Sequence, residues 1–350
     1  MTTRLIFHRT KLKLMLLEKF FIKWHLIGMK ILITGASGFI GSHLFRTLVR
    51  TGHECIGMDN QFIETDMGWA YQFAEENKNA QFFLGDEGDC SNGWNVFKIC
   101  KNFSPDVIFN LAVMCLPHSL IEPIENYSKN IEITTNIVQE ATKRNIRLVH
   151  FSSSEVYGSA EEEIMSEDHQ LRPSTPYAAA KAACDHLVQS MVNTFELDAV
   201  IVRPFNTYGP GQNENTYAAV MPKMIKTMLN GETPKITGDG TQTRDFNYVT
   251  DVVDAAILAE ERGKLGEVYN ICSGKETSIN DIVGTIASVM GLDEIEVNYI
   301  DKRPGDVMRH RGDGSKAAVE LGWKPRTSME DGLKETIEWY KRSIKTKGNK

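Results

Sequence analysis

The sequence predicts an α/β protein, a doubly wound parallel sheet followed by a smaller C-terminal α/β lobe. From Met29 onward, short apolar runs alternate with longer stretches of helical period, the pattern of a parallel sheet covered by helices on both faces. The alternation holds to Arg203 and loosens in Pro204 to Gly211 (PFNTYGPG), which carries too much Pro and Gly for a regular element. The 350 residues, 41% hydrophobic and 24% charged, suffice to bury a full core in one large or two modest domains.

Strands are expected at Ile31 to Thr34, Cys55 to Met58, Gln81 to Leu84, Val107 to Leu111, Leu148 to Ser152 and Ala199 to Val202, each brief and bounded by turn residues. Helices are expected to start near Phe39, Asn92, Ser128 and Pro176; Ser174 and Thr175 are candidate caps for the last, and Pro176 suits its first turn. Beyond a boundary at 203/204 the sequence predicts a helix at Tyr217 to Leu229, strands at Lys235 to Thr237 and Val268 to Ile271, and helices at Ile279 to Met290 and Met329 to Ser343. The expected organisation is therefore an extension at 1–28, a dinucleotide-binding domain at 29–203, mainly a substrate lobe at 204–345 with the chain free to cross between lobes, and a tail at 346–350.

Residues 1–28 carry Arg4, Arg9, Lys11, Lys13, Lys19 and Lys23, with Glu18 as the only acid. Charges interrupt every apolar run there, so no membrane span is expected. The segment reads as a mobile extension or as a start assigned ahead of Met29, with a helix lying on a membrane surface as the alternative. A net charge of -7 argues against nucleic acid as a partner. Six scattered cysteines without a CxxC pair indicate neither a disulfide framework nor a metal site and fit a reducing cytoplasm.

The first strand runs into Gly35-Ala36-Ser37-Gly38-Phe39-Ile40-Gly41 and then a helix. This is the setting of a Rossmann-type dinucleotide fingerprint. Gly35 permits the tight turn, Gly38 the approach of a pyrophosphate and Gly41 close helix–strand packing, while the helix N-terminus offers free N–H groups. Asp59 ends the second strand, where a carboxylate accepts the ribose hydroxyls and repels a 2'-phosphate, so the expected cofactor is NAD rather than NADP. Phe39 and Ile40 between the glycines, and Asn60 beside Asp59, complete the expected contacts on that side.

Tyr177 precedes Lys181 by one helical turn, so the two side chains share a face. A phenol of ordinary pKa about 10 is a poor base at neutral pH and needs a close positive charge. Lys181, helped by oxidised nicotinamide, is suited to supply it, and the phenolate then accepts a hydroxyl proton while hydride leaves the same carbon. Ser152, Ser153 and Ser154 end the fifth strand, at the sheet edge where such folds place ligands.

With its GxxGxxG spacing, Gly85-Asp86, Asn110-Leu111-Ala112, Tyr177-Ala178-Ala179-Ala180-Lys181, Arg203 to Pro210, Thr243 to Val249 and Arg303-Pro304-Gly305-Asp306, the chain resembles the extended short-chain dehydrogenase/reductase family over nearly all of 29–345. The resemblance is to its NAD-dependent nucleotide-sugar epimerases, dehydratases and decarboxylases. It implies that Asp86 contacts adenine, that Leu111 and Ala112 line the nicotinamide side, and that Ser153 hydrogen-bonds the reacting hydroxyl beside Tyr177 and Lys181. Ser154 also faces substrate in this reading. Arg244 and Arg303 would grip the nucleotide diphosphate, with Asn206 as a further donor.

Glu155 bears on the reaction. The 4,6-dehydratases carry adjacent Asp and Glu, and here the Asp position is Ser154; uronate decarboxylases show Thr-Ser-Glu, close to Ser153-Ser154-Glu155. Four-epimerases need no extra acid or base, because the 4-keto sugar has only to turn and be reduced from its other face. The leading expectation is a UDP-sugar 4-epimerase, with UDP-glucuronate decarboxylase and 4,6-dehydratase as alternatives and a catalytically silent NAD-sensing protein as a reading of another class. The family also implies a homodimer joined through helices Ser128 to Arg144 and Tyr177 to Phe195.

Overall fold

A computed structural model describes residues 28–61, 68–214, 218–292, 295–302 and 307–348. The strands in chain order are β1 Lys30–Thr34, β2 Glu54–Asp59, β3 Ala80–Leu84, β4 Val107–Asn110, β5 Arg147–Phe151, β6 Ala199–Pro204, β7 Asn206–Tyr208, β8 Lys235–Thr237, β9 Thr243–Arg244, β10 Phe246–Tyr248, β11 Val268–Ile271, β12 Thr277–Ser278 and β13 Asn298–Ile300. The helices are α1 Phe39–Arg50, α2 Gly68–Glu75, α3 Gly93–Phe103, the single turn α4 Leu116–Ser119, α5 Pro123–Arg144, α6 Pro176–Phe195, α7 Val220–Leu229, α8 Val249–Arg262, α9 Ile279–Met290 and α10 Met329–Gly348.

Seven strands form one sheet in the order β11-β6-β5-β4-β1-β2-β3, and every pairing in it is parallel. Successive side chains of β1 go to opposite faces. Ile31 and Ile33 pack with Leu44 and Phe45 of α1 and Val252 of α8, while Leu32 packs with Ile133 and Ile137 of α5 and Val188 of α6. Both faces are thus apolar and covered, which explains why these strands read as continuous apolar runs. The order reverses between β1 and β4, and a ligand crevice is expected outside the carboxyl ends of strands at such a point.

The second lobe has its own core, in which Met221 and Ile225 of α7, Ile282 and Ile286 of α9 and Leu333 and Ile337 of α10 meet Tyr208, Phe246 and Tyr248. Its three sheets are two-stranded. The boundary expected at 203/204 needs one correction, because β11 lies in the main sheet rather than in this lobe. All four of its residues are buried and Val268 pairs with Ile201 of β6, so the chain returns from the second lobe to finish the first. Helix α5 begins at Pro123, five positions before the expected start, with Pro in its first turn. Helix α7 begins at Val220, and Tyr217 lies outside the described residues, as do residues 1–27.

Candidate active site

The turn from β1 into α1 forms one wall of a cavity of about 350 Å³. Gly35 has φ +67°, and a Cβ there would stand 2.8 Å from the Ala112 nitrogen. A Cβ on Gly41 would stand 2.1 Å from the Gly35 carbonyl oxygen. The turn is therefore pressed against both α1 and the strand end carrying Leu111 and Ala112. No side chain caps the N-terminus of α1 and no acid sits in its first turn, so its N–H groups remain available to an anion. The Asp59 carboxylate accepts from Ser37 N at 3.0 Å and Gln61 N at 2.7 Å, bracing the turn at the end of β2. Gly38, Phe39, Ile40 and Asn60 line the same cavity, as do Leu111 and Ala112. Ala112 is fixed by donating its N–H to Thr34 Oγ1 at 3.1 Å. These residues fit NAD.

Asp86 does not line the cavity. It is exposed on the 3-10 turn Gly85–Gly88, and Gly88, Asp89 and Cys90 form the wall there.

Ser153, Tyr177 and Lys181 stand together at the inner end of this cavity. Thr175 caps α6 by accepting from Ala178 N at 3.2 Å, and Pro176 occupies the first turn, which fixes Tyr177 one turn before Lys181. The Ser153 side chain hydrogen-bonds the Tyr177 hydroxyl; burial pushes that phenol above its ordinary pKa, and the serine opposes the rise. Lys181 Nζ donates to the Phe151 carbonyl at 2.7 Å. Burial lowers its proton affinity, while Cys184 and Asp185 raise it. Glu155, Cys115 and Asp185 add to the rise at the phenol, so lowering it takes positive charge brought close to the hydroxyl.

A second cavity of about 540 Å³ adjoins, lined from both lobes. Glu155, Asn206, Lys223, Lys235 and Arg244 line it. Arg244 is held by its own Nη1, which donates to the carbonyls of Thr243 and Val307. The Asn206 amide nitrogen is buried with no hydrogen-bond partner among the described residues, as a donor awaiting a ligand would be. Arg303 lies outside the described residues. Ser154 needs correcting. It is 3% exposed and lines neither cavity, because its carbonyl is tied to His310 Nε2 at 3.1 Å and the 3-10 turn Ser154–Tyr157 rolls it inward.

Two residues that sequence reasoning passed over brace this region. Asp245 accepts from Ser273 N and Oγ, Gly274 N and Gly312 N at 2.6 to 3.3 Å, locking the loops behind Arg244. His310 returns from the C-terminal segment, fully buried, and burial with the nearby Arg244 lowers its pKa from 6.5 to about 4. The unfolded chain takes up a proton as pH falls through 6.5, whereas the folded chain resists until about 4. Its contribution to stability is therefore full above 6.5 and is lost as pH falls toward 4. Between about pH 7 and about pH 5 the loss is roughly 2 kcal/mol. Urea unfolding of wild type and His310→Gln at both pH values should show the wild type losing that much more than the variant, and equal losses would refute the assignment.

A dinucleotide fold carrying a tyrosine one turn before a lysine at its cavity defines a class, the short-chain dehydrogenase/reductases. Residues 32–336 match the family model described as GDP-mannose 4,6 dehydratase. UDP-glucose 4-epimerase of Mycolicibacterium smegmatis is 33% identical over 316 residues, 89% of this chain and 99% of that protein. The fold matches the crystal structure of UDP-glucose 4-epimerase with UDP-glucose from Thermotoga maritima at TM-score 0.83 and 31% identity, over 90% of this chain and 100% of that one. It matches dTDP-glucose 4,6-dehydratase from Bacillus anthracis in complex with NAD at TM-score 0.82 and 28% identity, over 91% and 98%. The chain belongs to this extended family of epimerases and dehydratases, and it is an NAD-dependent enzyme.

Proposed function

We propose that the protein is a nucleotide-sugar 4-epimerase acting on a UDP-sugar, with NAD retained through the cycle. The observation that carries this reading is the carboxylate inventory of the paired cavities. Glu155 alone reaches the substrate cavity from the catalytic turn, and the adjacent position is a serine facing inward. Loss of water needs an acid for the leaving oxygen as well as a base, and among the described residues no second carboxylate lines the substrate cavity. Epimerisation at C4 needs neither.

NAD, held by the β1 to α1 turn and Asp59, would supply reversible hydride acceptance. Tyr177, hydrogen-bonded to Ser153, accepts the C4 hydroxyl proton and later gives it back, while Ser153 holds the reacting oxygen in register. Lys181 contributes positive charge beneath the phenol. Arg244, Asn206, Lys223 and Lys235 hold the diphosphate and so anchor the nucleotide while the sugar turns over in the substrate cavity. Asp86 is proposed to reach adenine only if its turn moves, and Arg303 is proposed as a further ligand of the diphosphate.

The place of Glu155 on the substrate cavity favours a second reading, decarboxylation of UDP-glucuronate after oxidation at C4. Incubation with UDP-, dTDP-, CDP- and GDP-sugars, read by mass and NMR, separates the cases. An epimer of unchanged mass is expected; loss of carbon dioxide or of water would replace the epimerase by one of its relatives. We also read α5 and α6 as the face of a homodimer, since Ile124, at the start of α5, and Phe195, at the end of α6, are 76% and 61% exposed.

A further inference from the structure

Below the catalytic groups runs a chain of buried polar side chains that the proton transfer itself does not use. Asp185 follows Lys181 by one turn of α6, on the same face, and is 0% exposed. Its Oδ2 accepts from Arg203 Nε and from Ser152 Oγ, each at 2.9 Å. Arg203 lies on β6 and is itself buried; its Nη1 donates to the Tyr157 hydroxyl at 2.8 Å, and Tyr157 donates to Asn270 Oδ1 on β11 at 2.7 Å. Carboxylate, guanidinium, phenol and amide thus cross from α6 through the sheet to its last strand.

A second line reaches Asp185 from the nicotinamide side. Thr34 Oγ1 accepts from Ala112 N and donates to Asn110 Oδ1 at 2.8 Å. That fixes the Asn110 amide, whose nitrogen then donates to His150 Nδ1 at 3.2 Å. The imidazole proton is left on Nε2, which faces Asp185 Oδ1 at 3.9 Å. This is beyond hydrogen-bond length.

Such a cluster is costly unless its charges compensate one another. A buried lysine tends to become a neutral amine, and the only hydrogen-bond acceptor described for Lys181 Nζ is a carbonyl. The nearby buried carboxylate is Asp185; burial raises its pKa, and Arg203 and the hydrogen bond from Ser152 oppose that rise. Other groups face this centre: Tyr177 and Cys184 from α6, His150 from β5, Glu155 and Tyr157 from the turn after β5, and Cys115 from the turn after β4. None of these supplies a buried carboxylate clamped by a guanidinium.

We infer that Asp185, clamped by Arg203 and Ser152, is a positioning residue that keeps Lys181 protonated and through it makes Tyr177 acidic enough to act. The inference rests on the proposed roles of Tyr177 and Lys181. It has a sign that distinguishes it from simpler accounts. By its own field, the Asp185 carboxylate disfavours the Tyr177 phenolate, so deleting that charge should make Tyr177 more acidic if nothing else changes. If Asp185 acts through Lys181, deletion neutralises the lysine and Tyr177 becomes less acidic.

The test reads the ultraviolet tyrosinate band of the NAD complex during pH titration, each protein measured against its own Tyr177→Phe counterpart so that only this phenol appears. In Asp185→Asn the midpoint should move upward by about one unit or more, tenfold in proton affinity. In a Lys181→Met background the same change should produce no upward movement. Asp185→Asn leaves Arg203 buried without a counter-charge, which threatens folding. The pair Asp185→Asn/Arg203→Gln removes both charges together and should also move the midpoint upward. Ser152→Ala, which removes one hydrogen bond from Asp185, should show a smaller one and keeps the test open if neither of the others folds. A downward or absent shift in the folded variants overturns the inference. If the wild type itself shows no Tyr177 band below the pH at which ordinary tyrosines titrate, the proposed catalytic site fails instead.

Discussion

Tyr177→Phe is expected to lower turnover on the order of a hundred- to ten-thousandfold while leaving bound NAD and the unfolding midpoint close to wild type. The ring stays, so its packing at the head of α6 is kept. What goes is one hydroxyl, and with it the hydrogen bond from Ser153. Ser153 is not orphaned by the change, because its Oγ also accepts from Glu155 N at 3.2 Å; the stability cost should stay within about 1 kcal/mol. Turnover of the sugar that wild type converts, together with the cofactor's absorbance in the purified protein, checks both halves. A fall in rate with NAD still bound assigns the proton transfer to this phenol. Unchanged turnover would remove Tyr177 from the chemistry, and a protein that converts no sugar in either form would revive the reading as an NAD-sensing module.

How much of this was legible in advance depended on whether a residue acts through its neighbours in sequence or its neighbours in space. The β1 to α1 turn and the Tyr177/Lys181 pair are local: a strand end, a few glycines, one helical turn. The six expected strands all formed, because burial on both faces leaves a continuous apolar run that composition reveals. β11 was seen as a strand but assigned to the wrong lobe, since nothing in VYNI says that Val268 will meet Ile201 across 67 residues. Ser154 looked like a substrate contact because it follows the fifth strand at the carboxyl edge, where open α/β sheets place ligands. Its burial depends on His310, 156 positions away. Asp185 and His150 were invisible for the same reason, and Arg203 was visible only as the first residue of a motif; each acquires a purpose only when α6, β5 and β6 converge.

Gly41→Ala should abolish NAD retention and cost about 1–3 kcal/mol of stability, although it adds a single methyl to a helix. The new carbon would sit 2.1 Å from the Gly35 carbonyl oxygen and 3.1 Å from the Ala36 Cα, both backbone atoms with little room to yield. Gly35 has no path of retreat, being at φ +67° with the Leu111–Ala112 backbone against its other side. Helix α1 is equally constrained, since Leu44, Phe45, Leu48 and Val49 are at most 3% exposed in the core. Relief therefore requires the helix to lift from β1, which withdraws its N-terminal N–H groups from the pyrophosphate position and loosens Ser37 from Asp59. Gly284→Ala is the matched control: it lies inside α9 with nothing within 4 Å of the added carbon, so the better helix former should raise stability by about 0.5–1 kcal/mol. Cofactor absorbance after gel filtration and urea midpoints of the two variants decide the matter. If Gly41→Ala kept its NAD, the close packing of this turn would not be what forms the cofactor site.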